Sequence, residues 1–192
     1  MRKDLIIVSG IMLLFAGIFW LGGAGVSPTI LRRSTFFIWL AIMALLTRRF
    51  RRAAPDVPWA CHFAAANALF LGVATLLGGV GHSVAVASLA LSEREYGSLQ
   101  TLRFTTGAML VYSGAIALAT FPGIKAGRRW AVGFGGSASL LFWLYLLFLL
   151  PLRGSGGTVP PMLGFQSVYL LSLAAAAAWL AMGTFKEAAV AR

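Results

Sequence analysis

Charged residues are scarce in this sequence. They make up 11% of its 192 residues, and only five residues are acidic. Ordinary soluble domains carry about 25% charged residues. Hydrophobic residues account for 59% instead, and the mean hydropathy is +0.86. This balance excludes an ordinary soluble domain and predicts an integral membrane protein.

Cysteine and histidine are also nearly absent, since the chain has one cysteine and two histidines. A single cysteine, Cys61, allows neither an internal disulfide nor a cluster of thiol ligands. Its neighbour His62 points about 100° away from it on a helix, so the two do not form a chelate. Metal-dependent hydrolysis needs three protein ligands in one place. We therefore predict no metal site.

Asp, Glu, Lys and Arg are missing from the interiors of the apolar runs. Proton relays and ion-coupled transporters usually place such groups inside the membrane, so this absence disfavours an ion-driven transporter. The segment VYSGA at 111–115 has a superficial likeness to an intramembrane serine nucleophile. Such a serine needs a base within hydrogen-bond reach, and both histidines lie near predicted span ends. We predict that the protein is not an enzyme and assign no catalytic residue.

The sequence contains many long apolar runs. A helix needs about 20 apolar residues to cross the hydrocarbon core, and five segments meet this length: 5–24, 58–80, 104–121, 130–150 and 162–183. A sixth, 34–47, spans only if its flanking arginines snorkel or the bilayer thins. The prediction is an all-α polytopic membrane bundle of six transmembrane helices, five if 34–47 does not span, forming a single transmembrane domain over residues 1–192.

The formal charge of +11 is distributed as short basic clusters between apolar runs. This is the pattern of topology signals, so we expect no nucleic-acid partner. Basic-residue counts are equal for the five-span and six-span arrangements, but Arg2 and Lys3 before the first run favour six. Both arrangements place the C-terminus in the cytoplasm. Arginine in excess of lysine, with abundant alanine and glycine, indicates a bacterial inner membrane. The cluster predicted to anchor lipid and set topology is Arg48, Arg49, Arg51 and Arg52.

Small residues four positions apart predict where helices pack closely. The three pairs are Ala68 and Gly72, Ser113 and Ala117, and Gly133 and Ser137.

The longest stretch between spans is 81–103. A helix continued from the third span through residue 91 would be about 50 Å long, so we predict a break at GGVG, residues 78–81. Ser92 and Glu95 fit a capping box that opens a helix leading into the fourth span. This loop is predicted to face either a partner subunit or solvent through Glu93, Arg94, Glu95 and Tyr96.

His62 is the one candidate cofactor ligand. His82 lies 20 residues away, about 30 Å along a helix, so the two cannot ligate one haem. A pigment-type macrocycle with a single axial ligand stays possible, because Ala65 and Ala66 would leave room for a flat ring. The alternative is a structural histidine beside a packing face. The cofactor stays unknown: none is required, and pigment, quinone or structural lipid would fit.

Together these patterns predict a non-catalytic accessory or structural subunit of a larger bacterial membrane complex of the bioenergetic type. Its partners would be membrane lipids and other membrane protein subunits. A small permease or channel for a neutral solute is the alternative. The polar residues that would line its path are Asn67, Tyr112, Ser113, Gln166 and Tyr169.

Overall fold

The computed structural model describes residue 10 and residues 28–84, 93–152 and 161–190, with side chains for 10, 37–77, 105–148 and 163–183. The described residues form five helices and no strand. These are α1 (Pro28–Ala53), α2 (Trp59–Val84), α3 (Glu93–Lys125), α4 (Arg129–Leu152) and α5 (Pro161–Val190). Except for Gly10, the first predicted span, 5–24, lies outside the described residues.

Four of these helices are long and apolar enough to cross a membrane. The qualifying windows are Trp59–Leu77, Thr105–Lys125, Arg129–Phe148 and Leu163–Gly183. Helix α1 does not qualify, because arginines bound its apolar stretch at 34–47 on both sides. The all-helical class predicted from hydropathy is confirmed, and the described residues account for four spanning helices rather than six.

Helix α2 lies at the centre of the bundle. Of its membrane window, 78% is buried, whereas only 28% of the α5 window is. Helix α2 packs against α1, α3 and α5, while α4 lies between α3 and α5. Helices α2, α3, α4 and α5 therefore form a closed four-helix bundle, and α1 packs against the outside of this bundle.

Helix α1 buries one side of the part whose side chains the structure describes, residues 37–53. Its core residues recur every three or four positions, as expected of a helix with one packed face; they are Trp39, Ile42, Met43, Leu46 and Phe50. The Trp39 ring lies 5.5 Å from Phe165 of α5, between centroids, and the Phe50 ring lies 5.6 Å from Phe121 of α3.

The segment 78–81 was expected to break the third span, and this prediction is wrong. Helix α2 continues through these residues to Val84. A glycine inside a helix costs about 1 kcal/mol relative to alanine, which weakens a helix without ending it.

The sequence predicted that residues 93–96 lie in the stretch between two spans. They form the first turn of α3. The helix begins at Glu93, directly after Ser92 in the sequence, and this start agrees with the predicted capping box. Acidic residues are favourable in a first helical turn because they face its positive dipole end. With 33 residues, about 50 Å, α3 extends well beyond its apolar window Thr105–Lys125.

The turn between α3 and α4 has a defined capping geometry. Gly127 adopts φ +68°, a conformation that glycine adopts without a side-chain penalty. Its N–H donates to the Ile124 carbonyl at 3.0 Å, and the Arg128 N–H donates to the Gly123 carbonyl at 2.8 Å. These two bonds form a Schellman motif. The motif ends α3 sharply and starts α4 at Arg129.

Candidate functional site

His62 ties the turn between α1 and α2 to the bundle. Its side chain is fully buried, and its Nε2 lies 2.9 Å from the backbone carbonyl oxygen of Ala54, the residue that follows α1. A carbonyl only accepts, so Nε2 carries the proton and donates. The Nδ1 atom is buried without a hydrogen-bond partner among the described atoms. The imidazole thus holds the end of α1 against α2 through one hydrogen bond, which its Nε2 donates.

The space proposed for a macrocycle beside His62 is occupied by protein. Ala65 and Ala66 both have an exposed fraction of zero, so neighbouring helices cover the face on which a flat ring would lie. Axial ligation through Nε2 would also break the bond to Ala54. Cys61, next to His62, is likewise fully buried as a free thiol.

A cation–π contact lies at the same end of the bundle. The Lys125 Nζ atom, at the end of α3, is 4.6 Å from the centroid of the Phe50 ring. Phe50 is 1% exposed and also contacts Phe121. This arrangement fixes the end of α1 against the end of α3, within the turn that forms the Schellman motif.

Every lysine and arginine side chain that the structure describes lies at this end. We call this set the basic end; its members are Arg48, Arg49, Arg51, Arg52, Lys125, Arg128 and Arg129. The four arginines predicted as a lipid and topology anchor are all exposed, on the last turns of α1. Asp56 is the sole carboxylate among the described side chains. The basic end therefore carries a large excess of positive charge.

Helices α2 and α3 approach each other closely at two glycines. A Cβ atom on Gly114 would lie 2.8 Å from the Gly72 carbonyl oxygen and 2.6 Å from the Thr75 Oγ1. A Cβ on Gly72 would lie 2.6 Å from Leu118 Cγ. The predicted packing residue Ala68, one turn before Gly72, is buried, as are Ser113 and Ala117 on α3. Gly114, which the small-residue pairs did not include, makes the tightest approach.

The third predicted packing pair, Gly133 and Ser137 on α4, lies elsewhere. Both residues are exposed, and nothing lies within 4 Å of the position that a Gly133 Cβ would take. The Ser137 hydroxyl donates to the Gly133 carbonyl of its own helix at 3.1 Å. The described helices therefore do not approach each other closely at Gly133.

Gly133 forms part of a groove between α4 and α5, at the basic end. The groove has a volume of about 160 Å³ and is lined by Arg129, Val132, Gly133, Ala177, Leu180 and Ala181. Arg129 is exposed, and its Nη2 donates to the Leu180 carbonyl across the groove at 3.0 Å. An arginine thus lies at one end of an otherwise apolar depression.

The polar residues suggested for a solute path are mostly buried. Asn67 donates to the Phe63 carbonyl, and Gln166 accepts from Ser139 at 3.3 Å. The second polar atom of each amide is buried without a described hydrogen-bond partner, as is the Tyr169 hydroxyl. Tyr112, by contrast, is 44% exposed on α3.

The outer faces of α4 and α5 differ in side-chain size. Helix α4 exposes large apolar residues, namely Phe134, Leu140, Leu141, Leu144 and Phe148. The exposed face of α5 includes small ones, namely Gly164, Ala174, Ala175 and Ala178. Leu171 and Met182 lie on the same face of α5 and are also exposed. A neighbouring helix could approach α5 more closely than α4.

The described residues contain no group of three or more His, Cys, Asp or Glu side chains placed to hold a metal ion. The side chains of residues 93–96, predicted to face a partner, lie outside the described set. Comparison of the chain with protein-family models, with curated proteins and with solved structures gave no match.

Two features of the site were not found from sequence. The contact of Arg129 with Leu180 joins residues 51 apart, so no local pattern contains it. The partner of Gly72 was missed because Gly114 has no small residue at the fourth position after it. The signal that was present is the Ser-Gly-Ala run at 113–115, which offers three adjacent small residues on α3.

Proposed function

We propose that this chain is a non-catalytic protein of the bacterial inner membrane, an accessory or structural subunit of a larger membrane complex of the bioenergetic type. The observation that carries the proposal is the small-residue face of α5. Small residues in a membrane helix let another backbone come close, and close packing is a main source of helix association in lipid. Against lipid alone, they offer less contact than leucine or phenylalanine.

Helix α4 provides the internal comparison. It faces the surroundings with phenylalanine and leucine side chains, as expected for contact with acyl chains, while α5 presents Ala174, Ala175 and Ala178. Only 28% of the α5 window is buried within this chain. The partner we propose is therefore a transmembrane helix of another subunit, packed along α5.

We propose six spans, with α1 as the second. Between residues 37 and 45 its exposed side chains are all apolar, including Phe37, Leu40 and Leu45, whereas a helix lying on a membrane surface shows a polar face along its length. Trp39 contacts Phe165, near the start of the α5 window, and Phe50 contacts Phe121, near the end of the α3 window. The two contacts lie toward opposite ends of the bundle, which supports a spanning α1.

The orientation we propose places the basic end in the cytoplasm. Lysine and arginine are in excess in cytoplasmic segments, and all described cationic side chains lie at this end. Helix α5 runs toward the basic end, so the C-terminus is on the same side. The turn at 93–96 is then on the outer side, where it offers a second surface to a partner.

The test is the composition of the complex after gentle detergent extraction. We expect a defined heteromeric assembly of fixed stoichiometry that contains one copy of this chain. Ala175→Phe and Ala178→Phe would place large rings on the α5 face and are expected to dissociate it. Leu141→Phe on α4 is the matched control and should leave it intact. A lone 20.4 kDa species, a homo-oligomer, or an assembly unaffected by both α5 variants would contradict the proposal.

A permease for a neutral solute is the second candidate, and the buried polar atoms favour it. Asn67 Oδ1 and Gln166 Nε2 lack described partners, and buried polar atoms are normally paired with protein or water. Swelling of proteoliposomes in gradients of small neutral solutes tests this function. Solute-dependent swelling that is lost in Asn67→Leu and Gln166→Leu would establish a permease, and swelling equal to that of empty liposomes would eliminate it.

A further inference from the structure

The geometry points to a binding site for one anionic phospholipid in the groove between α4 and α5. The groove combines the two elements that such a lipid needs: a cation for the phosphate and an apolar channel for an acyl chain. Its one charged lining residue is Arg129, and the other lining residues are Val132, Gly133, Ala177, Leu180 and Ala181. This inference goes beyond the proposed subunit role, because it concerns a different surface from the outer face of α5.

Arg129 has donors left over for a phosphate. The guanidinium carries five N–H donors in a planar fork that matches phosphate geometry. One nitrogen donates to the Leu180 carbonyl, which holds the side chain over the groove. The described basic end has seven lysine and arginine side chains and one carboxylate, Asp56, so its net positive charge favours an anion.

The depth of the groove also suits a phospholipid. Arg129 opens the α4 membrane window and Leu180 lies near the end of the α5 window. The tryptophans next to these two residues, Trp130 and Trp179, are 64% and 56% exposed. Tryptophan is enriched at the headgroup level of membranes. The guanidinium is thus at headgroup level, and the apolar groove extends from it by about one helical turn along α4 and α5.

The absence of a side chain at Gly133 leaves space in the groove for an acyl chain. Nothing lies within 4 Å of the position of a Gly133 Cβ, and Ala177 and Ala181 form part of the opposite wall. A chain of methylene groups fits along small side chains, whereas a leucine at residue 133 would fill the space. The occupant is a lipid rather than a free phosphate, because a free phosphate would leave this apolar wall uncovered.

Native mass spectrometry of the purified full-length protein tests the site. Phosphatidylglycerol is titrated against phosphatidylcholine, and we expect one phosphatidylglycerol molecule to be retained in a saturable manner. Arg129→Gln should weaken this retention by about ten-fold or more, as loss of a charge-assisted contact does. Gly133→Phe should block the groove and abolish retention, and Ala181→Phe does the same from the α5 side. Circular dichroism confirms the fold of each variant.

Two control variants separate this site from general attraction to the basic end. Arg128→Gln removes a neighbouring exposed charge that does not line the groove, and Leu141→Phe places a ring on an exposed part of α4 away from the groove; both should retain the lipid. Equal loss in Arg128→Gln and Arg129→Gln would overturn the inference in favour of diffuse electrostatics. Full displacement of the lipid by inorganic phosphate would overturn it in favour of an anion site. If Gly133→Phe instead dissociates a protein partner and leaves lipid retention unchanged, the groove holds protein.

Discussion

Gly114 and Gly72 bring helices α3 and α2 so close together that the carbonyl oxygen of one would lie 2.8 Å from a Cβ on the other. Real Cβ atoms do not approach backbone oxygens this closely, so the two helix backbones would have to separate to admit a methyl group. The contact lies within the most extensive interface among the helices that the structure describes. Gly114 therefore sets the distance between the two helices.

Gly114→Ala is expected to destabilise the protein by about 1–3 kcal/mol, the usual cost of overpacking. Gly72→Ala should cost less, because its nearest obstacle is the Leu118 side chain, which can move, and not backbone. Unfolding in a detergent titration measures both. Gly136→Ala is the control, since nothing surrounds its Cβ position. If Gly114→Ala were as stable as Gly136→Ala, the close approach would be refuted.

His62→Leu removes the donor that holds the Ala54 carbonyl. We expect a loss of about 1–3 kcal/mol in the free energy of unfolding, the cost of an unpaired buried polar group. His62→Gln retains an N–H donor and should recover part of the loss. Thermal unfolding followed by circular dichroism provides the measurement. Equal melting temperatures for wild type and His62→Leu would show that this hydrogen bond contributes nothing.

Lys125→Gln tests the cation–π contact with Phe50. The expected loss is about 0.5–2 kcal/mol, depending on how far the ammonium group is desolvated. Lys125→Arg keeps a cation over the ring and is expected to retain most of the stability. The same unfolding assay applies. A loss of equal size in both variants would mean that packing of the lysine stem, and not its charge, supports the end of α1.

Trp143 and Ser167 join α4 to α5 through a hydrogen bond of 2.9 Å from the indole Nε1 to the serine hydroxyl. Bonds of this kind between membrane helices average about 0.6 kcal/mol. A double-mutant cycle with Trp143→Phe and Ser167→Ala should give a coupling energy of this size. Additive effects of the two substitutions would argue against the bond.

The sequence predicted the helices well where hydropathy alone determines them. The predicted spans 130–150 and 162–183 lie within α4 (Arg129–Leu152) and α5 (Pro161–Val190), because a run of apolar residues bounded by arginine or proline is a local signal. The end of α2 was mispredicted because a helix continued to residue 91 was judged too long for the membrane, and the break was assigned to the glycines at 78–81, whereas the helix ends at Val84. Backbone hydrogen bonding within α2 outweighs the local preference of these glycines.

Local sequence patterns of this kind did not predict which residues make contacts between helices. The position of His62 near a span end was correctly inferred, but its partner was not, because the turn at 54–58 folds back over the α2 start. The pair Gly133 and Ser137 has the same spacing as Ala68 and Gly72, yet only the latter meets a described helix. Residue spacing shows which faces allow close packing, and tertiary structure decides which are used.

The concentration of cations at the basic end also makes the molecule electrically polar along the membrane normal. A membrane potential of 100 mV, negative inside, acts on each elementary charge with about 2.3 kcal/mol. Moving the clustered arginines of α1 outward across the membrane would require work against this field. The total work is the work per charge multiplied by the number of charges that cross. In an energised membrane with the basic end inside, the voltage itself would hold the chain in its orientation.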